Sequence, residues 1–159
     1  MGVKPCKLLR NDDTKSMKKR NEVGPRERND ICESFNRMVW HYSELRGIHI
    51  QHREDVDDVV LEIALREDAS ERPPIPIKLV LEDVAFVLCD LDLQFKRQCV
   101  DAISDATCKA ESELKDRIEK ERLKFSPNAL KNYFHFRFYL VPPAGTLDVL
   151  AAGFVKDAN

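Results

Sequence analysis

Residues 96–124 run for 29 positions without a Gly or a Pro, a strong constraint on what this chain can fold into. Both residues break helices, so their absence over such a length favours one continuous helix. Val100, Ile103, Thr107, Ala110, Leu114 and Ile118 step by three and four along it, a narrow stripe of coiled-coil type. The other faces carry Asp105–Lys109, Glu111–Lys115, Glu113–Arg117 and Asp116–Lys120, each with the acid first at i,i+4, the favourable orientation. A helix near 96–124 would be about 43 Å long at ~1.5 Å per residue. That matches the ~40 Å diameter of a compact domain of this size, so the helix crosses its domain or overhangs it.

A second helix is expected near 30–46. Asp30 can cap it and Glu33 occupies the capping-box position. Ile31, Phe35, Met38, Val39, Tyr42 and Leu45 follow one helical face, and Gly47 supplies a stop. Trp40 falls off that stripe, as a wing of the core or as an exposed contact residue.

Strand signals lie between and after these helices. Residues 48–52 alternate, residues 54–58 read as an acidic hairpin turn, and Val59, Leu61, Ile63 and Leu65 alternate with Val60, Glu62, Ala64 and Arg66. Ile75, Ile77, Leu79 and Leu81 form another alternation, with Pro76 favouring an edge or strand start. In NYFHFRFYLV, Phe134, Phe136, Phe138 and Leu140 make one face, and Tyr133, His135, Arg137, Tyr139 and Val141 the other. Residues 84–95 and 147–155 suit a helix or a strand, and their spacing favours the helix in both.

The fold expected is therefore a single α+β domain over residues 29–159, behind a flexible basic tail at 1–28. Its sheet is mostly antiparallel, of three to five strands, packed on one face by the helices near 30–46 and 96–124. The expected core is Phe35, Met38, Val39, Leu61, Ile63, Leu65, Ile77, Leu79, Leu81, Leu88, Phe134, Phe136 and Phe138.

Composition narrows the function. Hydrophobic residues are 43% of 159, enough for one core, and no apolar run reaches the ~18 residues of a membrane helix. The N-terminal MGVKPCKLLRNDD lacks the apolar stretch of a secretory signal, so a reducing compartment, cytoplasmic or nuclear, is expected with no membrane contact. The five cysteines, none in a C-x-x-C, then read as reduced thiols, with Cys89 buried in VAFVLC. Residues 1–30 hold nine Lys/Arg against five Asp/Glu, while the rest is acidic.

Motifs for chemistry are scarce. His49 and His52 would point to opposite sides of a strand, and neither the cysteines nor residues 54–58 carry metal-ligand spacing, so no metal is expected. The five isolated glycines build no phosphate loop, no G-x-S-x-G occurs, and no cofactor is implied.

Three readings remain. The first is a non-enzymatic intracellular adaptor or complex subunit, binding a protein partner or itself through Val100, Ile103, Thr107, Ala110, Leu114 and Ile118. The same stripe equally serves to pack the helix on its own sheet. The second is a nucleic-acid-associated protein using the basic cluster Lys18, Lys19 and Arg20 and the face Tyr133, His135, Arg137 and Tyr139. A solvated tail and a half-covered sheet face explain those residues without a ligand. The third is a small-ligand-binding or enzymatic domain with a pocket between sheet and long helix, lined by His135, Arg137 and a carboxylate.

Overall fold

The computed structural model describes residues 25–66, 73–91, 102–122, 128–141 and 145–158. The elements are α1 (Pro25–Asn36), β1 (Ser43–His52), β2 (Asp57–Leu65), β3 (Ile75–Leu91), β4 (Ala102–Lys109), α2 (Glu113–Arg122), β5 (Phe134–Leu140) and β6 (Gly145–Ala158). All six strands are antiparallel to their neighbours and close into a barrel in the order β1-β2-β3-β6-β5-β4.

This overturns the expectation of a three-to-five-stranded sheet under a long helix. Residues 102–109 of the supposed helix are β4, and 113–122 are its only helical part among the described residues; 96–101 and 123–124 lie outside them. Ile103, Ala106 and Cys108 of β4 are buried in the barrel core, with a register irregularity between Ile103 and Asp105 that resets the alternation. The charge spacing imitated a helix. Of its four pairs, only Glu111–Lys115 is an ion pair among the described residues, at 3.4 Å. That pair belongs to the entry of α2, where Ser112 Oγ accepts the Lys115 N–H at 3.2 Å and Lys115 Nζ donates to the Ala110 carbonyl at 2.8 Å.

The first helix also differs from 30–46. It begins at Pro25, a residue suited to a first helical turn, and ends at Asn36. Tyr42 takes a left-handed φ of 68° in a turn closed by the Ser43 N–H to the Trp40 carbonyl, and β1 starts there. Gly47 is no helix stop. It lies at the irregularity in the β1–β2 ladder, where a Cβ would come within 3.0 Å of His49 Nε2.

Residues 84–91 and 145–158 are strands, not helices. They lie in the longest ladder among the described residues, from Ile77 opposite Ala158 to Leu91 opposite Gly145. β6 is apolar on both sides: Leu147, Val149 and Ala151 face the barrel interior, while Leu150 is buried on the outside by α2. A strand covered on both faces loses the alternation that identifies it in a sequence.

The expected strands within 48–52, 59–65, 75–81 and 134–140 are present, and the hairpin turn at 53–56 is closed by the Arg53 N–H to the Val56 carbonyl. Phe134, Phe136 and Phe138 point inward with Leu61, Ile63, Leu79 and Leu81, all fully buried. Phe35 of α1 enters the same core. Its ring lies 4.9 Å from Trp40, 5.0 Å from Phe136 and 5.3 Å from Phe154, mostly edge-on. Two residues expected in this core are exposed instead, Val39 and Leu88, and Cys89 is exposed rather than buried. No helix of the described residues is long and apolar enough to cross a membrane.

Candidate functional site

Among the described residues the barrel interior is occupied by buried apolar side chains, and the cleft lies on the outer wall. The ladders align side chains across four strands. Leu88, Asp148, Arg137 and Thr107 form one outward-facing row over β3, β6, β5 and β4. Phe86, Leu150, His135 and Lys109 form the next. α2 lies on the second row, with Leu114 and Ile118 packed against Leu150, Leu130, Phe86 and Tyr133. Its first turns then stand beside the first row, and a cleft of about 550 Å³ separates them. Thr107, Lys109, His135, Arg137 and Tyr139 line the sheet side, and Glu113, Leu114 and Arg117 the helix side.

Under the floor of the cleft lies an ionic cluster. Asp148 is 1% exposed and accepts from His135 Nε2 at 2.7 Å, from Arg137 Nε, and from Thr146 Oγ1 at 3.4 Å. Burial alone would push the Asp148 carboxyl up; the bonds from Arg137 and His135 outweigh it and hold the group below the usual carboxylate range. Burial dominates at His135 and lowers it, although Asp148 opposes that, so the imidazole is neutral at pH 7. With Nε2 donating to Asp148, Nδ1 is the acceptor nitrogen. The Arg137 guanidinium is fixed from below by Asp148, lies 5.8 Å from the Tyr139 ring centroid, and keeps 37% of its side chain exposed.

The charges are not matched one to one. Glu111 is held by Arg28 and Lys115. Lys109 and Arg117 form no ion pair among the described residues. The cleft therefore offers a pinned guanidinium, two uncommitted cations, a neutral imidazole and an aromatic ring, against apolar walls at Leu88 and Leu114.

Of the residues singled out in the sequence, His135, Arg137 and Tyr139 share this face, and Tyr133 sits beside it under α2. The stripe does not form a surface. Ile103 is inside the barrel, Leu114 and Ile118 are 6% exposed beneath α2, Ala110 packs against the barrel core and Thr107 faces the cleft. Val100 and the basic cluster Lys18, Lys19 and Arg20 lie outside the described residues. Asp148, Lys109 and Arg117 were not anticipated. The one signal for Asp148 is a charge inside the apolar run TLDVLAAGFV, where an acid on a buried strand needs partners.

Among the described residues, no group of His, Cys, Asp and Glu is placed to hold a metal ion; His49 and His52 instead face Glu62 and Asp57. In comparison with known proteins, the chain matches no family model, no curated protein and no solved structure.

Proposed function

We propose that this chain is a ligand-binding β-barrel domain whose site is the cleft between α2 and the outer face of β4, β5 and β6. Its ligand is a small anion with a flat or apolar body. The adaptor reading loses the long helix on which it rested, because Leu114 and Ile118 are consumed in packing α2 on its own barrel. The observation that carries the ligand reading is the cleft itself, floored by Arg137 locked on buried Asp148 and rimmed by Lys109 and Arg117, which form no ion pair among the described residues. Its volume falls in the ~300–1,000 Å³ range of small-molecule sites. A guanidinium held on one side by a carboxylate is pre-aimed, which reduces the ordering lost when an anion binds.

The test uses the ¹⁵N-labelled full chain titrated with benzoate, phenyl phosphate and adenosine monophosphate. The expected result is saturable shifts confined to Thr107, Lys109, His135, Arg137 and Tyr139 for at least one probe. Binding should weaken about tenfold in Lys109→Ala, and in Arg117→Ala, for each contact worth ~1.4 kcal/mol. Failure of all three probes to move those amides at millimolar concentration overturns the reading.

A further inference from the structure

Away from the ionic cluster, α1 presents Arg28, Cys32 and Asn36, four residues apart and therefore on one helical face, to the end of β4. Each makes a contact there. Arg28 Nη2 donates to the Ala110 carbonyl at 3.5 Å and to Glu111 at 3.2 Å. Asn36 bonds both backbone groups of Cys108: its Nδ2 donates to the carbonyl at 3.1 Å and its Oδ1 accepts the N–H at 2.7 Å. Between these anchors the Sγ atoms of Cys32 and Cys108 lie 3.3 Å apart. Closing that contact to the ~2.05 Å of a disulfide needs about 1.2 Å of sulfur movement.

We propose that Cys32 and Cys108 are a redox couple, forming an intrachain disulfide that fastens α1 to the barrel wall. The two thiols have unequal roles. Cys32 is half-buried and reachable, while Cys108 is 2% exposed. The contact with Cys108 and the positive charge of Arg28 hold the Cys32 thiol below its ordinary range. The same contact, with burial, pushes the Cys108 thiol up. Cys32 is thus the attacking thiol and Cys108 the resolving one.

With a low-molecular-weight disulfide as oxidant, the steps balance. The Cys32 thiolate attacks one sulfur of oxidised glutathione, forming a mixed disulfide and expelling a glutathione thiolate that takes up the proton Cys32 has lost. Cys108 then gives up its proton and attacks Cys32 Sγ, and the second glutathione leaves as a thiol with that proton. Two protein thiols are oxidised to one disulfide while one oxidised glutathione is reduced to two thiols. A dithiol reductant reverses the sequence.

The test exposes the folded full chain to oxidised glutathione, blocks the remaining thiols with N-ethylmaleimide, and maps digested peptides by mass spectrometry. The expected product is a Cys32–Cys108 peptide that has lost two hydrogens, with Cys89 blocked, and a thermal midpoint above that of the reduced chain. Cys108→Ser should stop at the Cys32 mixed disulfide and gain there the mass of one glutathione less two hydrogens, whereas Cys32→Ser should gain none at Cys108. Recovery of both thiols blocked by maleimide after oxidation, or a dominant pairing of either with another cysteine, overturns the proposal.

Discussion

A carboxylate at Asp148, between the fully buried Leu147 and Val149, survives only because its lone pairs are occupied by His135, Arg137 and Thr146. His135 and Asp148 both titrate below their ordinary values in the folded protein. Each therefore binds fewer protons folded than unfolded in the window between its two pKa values. The stability this gives is complete above the unfolded value, ~6.5 for His and ~3.9 for Asp, and is lost as pH falls through the folded value. Urea unfolding midpoints of the full chain should hold steady from about pH 8 to 7 and fall from about pH 6.5 downwards. His135→Gln should flatten the decline just below pH ~6.5 and weaken the fold by about 1–2 kcal/mol. A midpoint that climbs between pH ~6.5 and ~5 contradicts the lowered His135 value.

The elements divide into strands that declare themselves and strands that do not. In β5 the phenylalanines at 134, 136 and 138 alternate with polar residues because one face fills the barrel and the other meets the cleft, so that strand, and the placing of His135 and Arg137 on one side of it, could be read directly. The far end of β3 and most of β6 could not. Phe86 and Leu150 are apolar on the outer face because α2 covers them, and an apolar residue on both sides of a strand counterfeits helical spacing. In β4 the irregularity after Ile103 broke the period of two, and the charges at 105 and 109 completed the illusion. The partner of Arg137 was equally hidden, since Asp148 meets it only through the β5–β6 ladder. The helix α1 tests the packing side of the same account. Phe35→Ala empties a site ringed by Trp40, Phe136 and Phe154 and should lower unfolding free energy by about 3–5 kcal/mol in urea titration. A loss below ~1 kcal/mol would mean that α1 is not part of the cooperative core.

For the molecule as a whole, closure depends on two pairings between strands distant in sequence, β3 with β6 and β1 with β4. β6 comes last of the six strands described, yet it lies between β3 and β5 and carries the longest ladder among them. Removing residues 145–159 would strip partners from two strands at once and uncover Phe134, Phe136 and Phe138. That truncated chain should show no cooperative thermal transition; a sharp transition near that of the full chain would mean the remaining strands fold without closure. Dependence on such remote pairing also places folding on the slow scale of β-barrels, milliseconds to seconds.

Around the ring, five of the six junctions are long ladders, and among the described residues β1 meets β4 at a clasp of Ser43–Ile103 and Glu44–Ala102. The wall is thus a rolled sheet held by a clasp. Beyond that clasp β1 runs on to His52 with β2 alone beside it among the described residues, and Ile48 and Ile50 are left exposed there. Opening that junction would let the cylinder unroll about β2 and β3 while every other junction stayed intact. α1 is bonded to β4, carries Phe35 inside and leads through buried Trp40 into β1, so it stands at that closing junction. A covalent tie from α1 to β4 would then act on the whole cylinder, setting how readily it springs open.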